Sequence, residues 1–146
     1  MTQNATLIRA ASLSAEDRLD IQQLLSEYSF HEDTGAAEEW AALFTRNGTF
    51  QGGGDKAPIT GRAALAEFAR RRWEEKPEVR SRAHWVCNII IEPTETGAHV
   101  SSYQMNVDKI EAGYVVSGVS GKSDEVCRED GRWRFEKRTV VPVGSR

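Results

Sequence analysis

Arg82 to Pro93 read RAHWVCNIIIEP. Apolar residues here follow no helical repeat. They alternate, which predicts an extended strand. His84, Val86, Asn88 and Ile90 fall on one side of it, and Trp85, Cys87, Ile89 and Ile91 on the other. Upstream the period is different. Ser14 is an N-cap candidate, with Leu13 before it and Glu16 and Asp17 in the first turn, where a helix dipole favours anions. Ile21, Leu24, Leu25 and Tyr28 follow on one helical face, predicting a first helix over 14–30. Asp33 or Thr34 can cap a second helix over 35–44, with Trp40, Leu43 and Phe44 on its buried side. Asn47-Gly48 marks a turn, 49–51 a short strand, and the glycine run after it a mobile loop. A third helix starts after Thr60, carries Ala64, Leu65, Phe68 and Trp73, and ends before Pro77.

Downstream of Pro93 the alternation continues. AHVSSYQMNVDKI, GYVVSGVSGKSDEVCRE and GRWRFEKRTVVPV read as strands. Glu111-Ala112-Gly113 and Glu129-Asp130-Gly131 turn the chain between them, as in antiparallel hairpins. Helices come first and long strands last, so the expected class is α+β, with three N-terminal helices on one face of a sheet and a cavity between the layers. Residues 1–12 read as a flexible arm and 13–146 as a single domain.

The length, 146 residues, suits one domain. Apolar residues make up 39%, and no run approaches the roughly 20 needed to span a membrane. The first residues lack the continuous apolar stretch of a signal peptide, so the expected location is cytoplasmic. The net charge of -3, and acids directly after the one dense basic cluster RRRWEEK, argue against nucleic acid as a partner. Cys87 and Cys127 have no CxxC neighbour and read as free thiols. No metal-ligand spacing is present, so no metal is expected.

The chemistry-bearing side chains are Tyr28, Asp33, His84, Asn88 and Asp108. If the His84 face meets the first helix, His84 can approach Asp33. A carboxylate bonded to an imidazole fixes its tautomer and stabilises the imidazolium formed after proton abstraction. Tyr28 can donate to a developing oxyanion or a departing hydroxide. Each residue also has a plainer role. Asp33 suits an N-cap, His84 a core histidine bonded to a backbone carbonyl, Tyr28 simple packing, and Asp108 a surface position beside Lys109. The residues alone leave both sets open.

The segments IQQLLSEYSFHEDTGAAEEWAALFTRNGTF, ITGRAALAEF, RAHWVCNIII and EVCREDGRWRFEKRTV, in that order, resemble the SnoaL-like branch of the nuclear transport factor 2-like superfamily. The first resembles its Tyr-x(4)-Asp, LF-x(3)-G-x-F entry, the third its H-x(3)-N strand, and the last its final hairpin. The resemblance runs from about Ser14 to Val143. It implies a cone-shaped fold of three helices on a strongly curved, mostly antiparallel sheet, commonly dimeric or trimeric. Its enzymes include scytalone dehydratase, bile acid dehydratase, hexachlorocyclohexane dehydrochlorinase and polyketide cyclases. In the dehydratases and the dehydrochlorinase an Asp-His dyad works in a closed pocket without metal or organic cofactor.

Asp33 and His84 match that dyad, Tyr28 matches the tyrosine before the aspartate, and Asp108 matches an acidic position on the next strand. Asn88, Asp108, Trp40 and Val86 are the substrate-binding residues this implies. No second pocket histidine is present, because His99 comes too early in its strand. The implied activity is a cofactor-independent, dehydratase-type lyase on a hydrophobic cyclic small molecule, in a homodimer. The alternatives are a double-bond isomerase or cyclase in the same pocket, or a noncatalytic ligand-binding or dioxygenase β-subunit-like assembly protein.

Overall fold

The computed structural model describes residues 12–145. The arm expected over 1–12 lies, for residues 1–11, outside the described residues. Ser14 caps helix α1 (Ala15–Thr34) through a capping box: its hydroxyl accepts from the Asp17 N–H, and the Asp17 carboxylate accepts from the Ser14 N–H. The helix passes the expected end at 30 and continues through His31, Glu32 and Asp33. Nothing in that stretch breaks a helix. Gly35 does, in the left-handed conformation at φ 71°, with its N–H bonded to the His31 carbonyl. Asp33 is therefore not the cap of the second helix. That helix, α2 (Ala37–Ala42), starts at Ala36 with no side-chain cap.

α2 is also shorter than its apolar pattern suggests. The Phe135 N–H donates to the Leu43 carbonyl at 2.9 Å and draws the chain out into a strand, β1 (Phe44–Gln51). The turn expected at Asn47-Gly48 is instead a register irregularity inside β1. A Cβ on Gly48 would lie 2.9 Å from the Phe135 carbonyl oxygen, so this close strand approach needs glycine. After β2 (Ile59–Thr60) comes α3 (Arg62–Glu75), then a short 3-10 turn over Pro77–Ser81. Three long antiparallel strands and a shorter last one complete the chain: β3 (Arg82–Pro93), β4 (Ala98–Ile110), β5 (Gly113–Glu129) and β6 (Arg132–Val141).

The sheet order is β2-β1-β6-β5-β4-β3. All neighbours are antiparallel except β1 and β6, which run parallel. The three helices lie on one face of this open, six-stranded α+β sheet. Ile21, Leu24, Leu25 and Tyr28 of α1 bury against Trp40, Phe44, Leu65, Val100, Val126 and Phe135. Tyr28, Trp40, Phe44 and Phe135 form an aromatic cluster with ring centroids 5.1–6.3 Å apart.

The alternation expected along β3 holds only to Cys87. Asn88 adopts φ 53° and the pairing with β4 shifts between Cys87 and Ile90. One extra residue in a strand swaps the faces of everything after it. Ile89 and Ile91 therefore pack on the core, and Ile90 is exposed. No helix among the described residues is long and apolar enough to cross a membrane.

Candidate functional site

Tyr28, Glu32 and Asp33 occupy the last two turns of α1, where the helix crosses β3. Tyr28 and Glu32 are four residues apart and share a helix face. The Asp33 carboxylate grips His84 twice. Its Oδ2 accepts from the His84 backbone N–H at 3.0 Å, and its Oδ1 lies 2.6 Å from Nδ1. A carboxylate only accepts, so the Nδ1 proton sits between them. Nε2 of the neutral ring then carries the free lone pair. His84 is almost fully buried, yet it borders a cavity of about 760 Å³ between the helices and the sheet.

Nε2 lies 3.6 Å from Oε1 of Glu32. That oxygen accepts from Arg72 Nη1 at 2.7 Å, while Oε2 of Glu32 is buried without a hydrogen-bond partner. Glu32, Arg72, Tyr28, Gln104 and Lys122 line the cavity with His84, and Phe50, Ile59, Phe68 and Val140 add apolar wall. Tyr28 is buried, and desolvation, reinforced by the charge of Glu32, holds its phenol protonated far above the ordinary range. The Arg138 guanidinium stacks beneath its ring, 4.1 Å from the centroid, and bonds to Asp124 at 2.7 Å. Both ions of that pair are fully buried. Burial pushes the Asp124 carboxyl up to about 6, against the pull of Arg138. Desolvation, then Arg138, brings the Lys122 amine down to about 8.

The structure thus brings Tyr28, Asp33 and His84 to one place. It does not bring the other expected residues there. Asn88 sits exposed on the β3 bulge, outside the cavity lining. Asp108 is held by Arg82 through two bonds of 2.7 and 2.9 Å, which keep its carboxyl down at about 2. It too lies off the cavity. Trp40 is buried in the aromatic cluster and borders a separate void of about 20 Å³. Val86 packs on the core beside the cavity without lining it.

Conversely, Glu32, Arg72, Gln104 and Lys122 line the cavity and are not among the expected site residues. Strand alternation alone puts Lys122 in step with buried Asp124 and Val126, so that signal was present. Arg72 was hidden in a basic cluster that reads as a solvated helix end. Among the described residues, no group of three or more His, Cys, Asp or Glu could hold a metal ion.

Solved structures share this arrangement of elements. A protein of unknown function from Mycobacterium tuberculosis aligns over 86% of this chain and 70% of its own, with 28% identity and a TM-score of 0.73. A Catenulispora acidiphila protein in complex with S-DNPA aligns over 88% of this chain and 94% of its own, with 25% identity and a TM-score of 0.77. A candidate scytalone dehydratase from Novosphingobium aromaticivorans aligns over 91% and 99%, with 23% identity and a TM-score of 0.69, a likeness of fold. None of the curated proteins compared matches. The model of the SnoaL-like domain matches residues 13–139, so the chain belongs to the SnoaL-like domain family, with a nuclear transport factor 2-like fold.

Proposed function

We propose that the protein is a cofactor-independent lyase of the dehydratase type, acting on a ring-containing, largely hydrophobic small molecule. One observation carries the proposal: the 2.6 Å contact from Asp33 to His84 Nδ1, at a histidine that borders a cavity of about 760 Å³. In this reading Nε2 takes a proton from the carbon next to a substrate carbonyl. The electron pair forms the new double bond as the β C–O bond breaks. The hydroxide leaves as water, taking a proton from Tyr28 or from the imidazolium. Asp33 orients the ring and balances the positive charge that develops. The Catenulispora acidiphila structure in complex with S-DNPA supports small-molecule binding by this fold. A hollow interior also supports a ligand-handling role over a filled assembly subunit. Returning the proton at a second carbon, without loss of water, turns the same dyad to double-bond isomerisation.

The test is a screen of cyclic β-hydroxy ketones and halogenated rings, with wild type and His84→Ala assayed in parallel in the presence of EDTA. Turnover by wild type is expected, with a loss of about 10²–10⁴-fold or more in His84→Ala. Asp33→Asn should fall with it, because an amide does not balance an imidazolium. Equal turnover by wild type and His84→Ala removes His84 as the base. The homodimer belongs to the same proposal. It rests on the sheet face away from the cavity, where Trp85 is exposed.

A further inference from the structure

Lys122 has no part in the dyad chemistry, yet it lies inside. It sits mid-strand on β5, opposite Ser102 of β4 and Val140 of β6, and is 4% exposed. Its side chain lines the cavity. Among the described residues no hydrogen bond or ion pair reaches its amine. The carboxylates nearest it each hold a guanidinium through one oxygen: Glu32 of α1 with Arg72, and Asp124 of its own strand with Arg138. Arg72 of α3 and Arg138 of β6 are the other charges near it, and both repel it.

An ammonium with three idle donors and little water is unfavourable in a folded protein unless something is delivered to it. Two residues of the cavity wall carry unsatisfied acceptors sealed from the cavity space. Oε1 of Gln104 and Oε2 of Glu32 are buried acceptors with no donor. The other oxygen of Glu32 is already used, and the Gln104 amide nitrogen donates to Asn106. The apolar wall of Phe50, Ile59 and Phe68 lies on the remaining side. The cavity therefore offers one buried ammonium without a protein partner beside an apolar surface; its other cations are Arg72, bonded to Glu32, and the exposed Lys56, Arg71 and Lys76.

We propose that Lys122 anchors an anionic oxygen of the ligand, so that the natural ligand is a ring compound bearing a carboxylate or ionised enol. Naming this ligand as the substrate rests on the lyase reading. The binding itself does not, since it needs no turnover. The protonated amine donates to the anion, and the anion in turn holds the proton on the amine. No covalent bond forms.

The probes are 6-hydroxy-2-naphthoate and its neutral isostere 6-hydroxy-2-naphthamide, titrated by calorimetry at pH 7. Wild type should prefer the carboxylate by about 10- to 100-fold, the value of a hydrogen bond to a charged group. Lys122→Met should lose the preference by weakening the carboxylate and leaving the amide unchanged. Unchanged amide binding also shows that the variant is folded. Lys122→Arg should retain the preference, and so should His84→Ala. Equal affinities of wild type for the two probes overturn the proposal, as does a preference that survives in Lys122→Met. A third probe separates anion anchoring from imine chemistry. Borohydride reduction with 6-hydroxy-2-naphthaldehyde should leave the mass of Lys122 unchanged, and a reduced adduct on that residue overturns the anchor. Failure here appears as equal affinities, whereas failure of the lyase reading appears as absent turnover with the preference intact.

Discussion

Lys122 holds a proton in a place water barely reaches. In the unfolded chain its amine has the ordinary lysine value of 10.5, and burial beside Arg138 brings the folded value down to about 8. Between those values the unfolded state binds more protons, so stability rises with pH across the window. Below about 8 both states are protonated and the folded one carries the whole desolvation cost, on the order of 3 kcal/mol. Glu32 and Asp124 offset part of that cost, and Arg72 and Arg138 add to it. Urea unfolding of wild type and Lys122→Met at pH 7.5 and pH 10 measures this directly. Other lysines and the tyrosines titrate in both proteins, so the comparison is the difference between them. Lys122→Met should be the more stable at pH 7.5, and its advantage should shrink at pH 10. An advantage independent of pH would place the effect in packing and not in the proton. The residue the protein keeps at a stability cost is the residue we assign to ligand binding, a pattern expected of functional sites.

Among elements, α1 matters most, because one helix end places Tyr28 and Glu32 in the cavity wall and Asp33 on His84. Its termination is the sensitive point. Gly35 has φ 71°, and a Cβ there would fall 2.5 Å from the Trp73 ring of α3. Gly35→Ala should cost at least about 1–2 kcal/mol from the left-handed conformation alone, plus whatever the Trp73 contact adds. The loss should appear as a lower urea midpoint with an unchanged slope. Because Asp33 lies two residues before the glycine, turnover should fall more steeply than stability. A variant with full activity and unchanged stability would show that the cap does not set the dyad.

The periodicity of each element was legible in the sequence, and the strands β3, β4 and β5 begin and end where alternation placed them. The capping box at Ser14 was half legible, since Asp17 stands in the first turn. The end of α1 was not. His31 to Asp33 reads as polar punctuation until the left-handed glycine shows it to be the last turn of a helix. The bulge at Asn88 was also hidden, because alternation of apolar residues continues through NIII whichever face is inward. That one inserted residue removes Asn88 from the cavity and brings Ile89 onto the core. Asp33 and His84 were found because their residue types are scarce and their order matched a family pattern. Arg72 and Gln104 were missed because their importance comes from which helix and strand lie opposite them, and local sequence does not encode that.

At the scale of the molecule the sheet has two unlike faces. One holds the helices and the cavity. On the other, register places Trp85 of β3 beside Met105 of β4 and Val119 of β5, with Val107 and Val116 paired one step along. Trp85 is 58% exposed, Val116 52% and Val119 57%. Directly paired residues share a face, so these side chains form an apolar band across three strands. Bands of that kind on a sheet mark contact surfaces more often than solvent-facing ones. Among the described residues, nothing covers it. A second copy is the simplest partner, since a two-fold axis lets the same band meet itself. A stable pair of this kind buries about 1,200–2,000 Å² in total. Sedimentation at micromolar concentration should therefore give about twice the 16.3 kDa chain mass. Trp85→Arg should shift the species toward monomer, because two guanidinium groups brought together across the axis repel and lose their water. The cavity lies on the opposite face, so binding of 6-hydroxy-2-naphthoate should survive in the monomer. A wild type that sediments as a monomer would leave the band without a partner in its own kind.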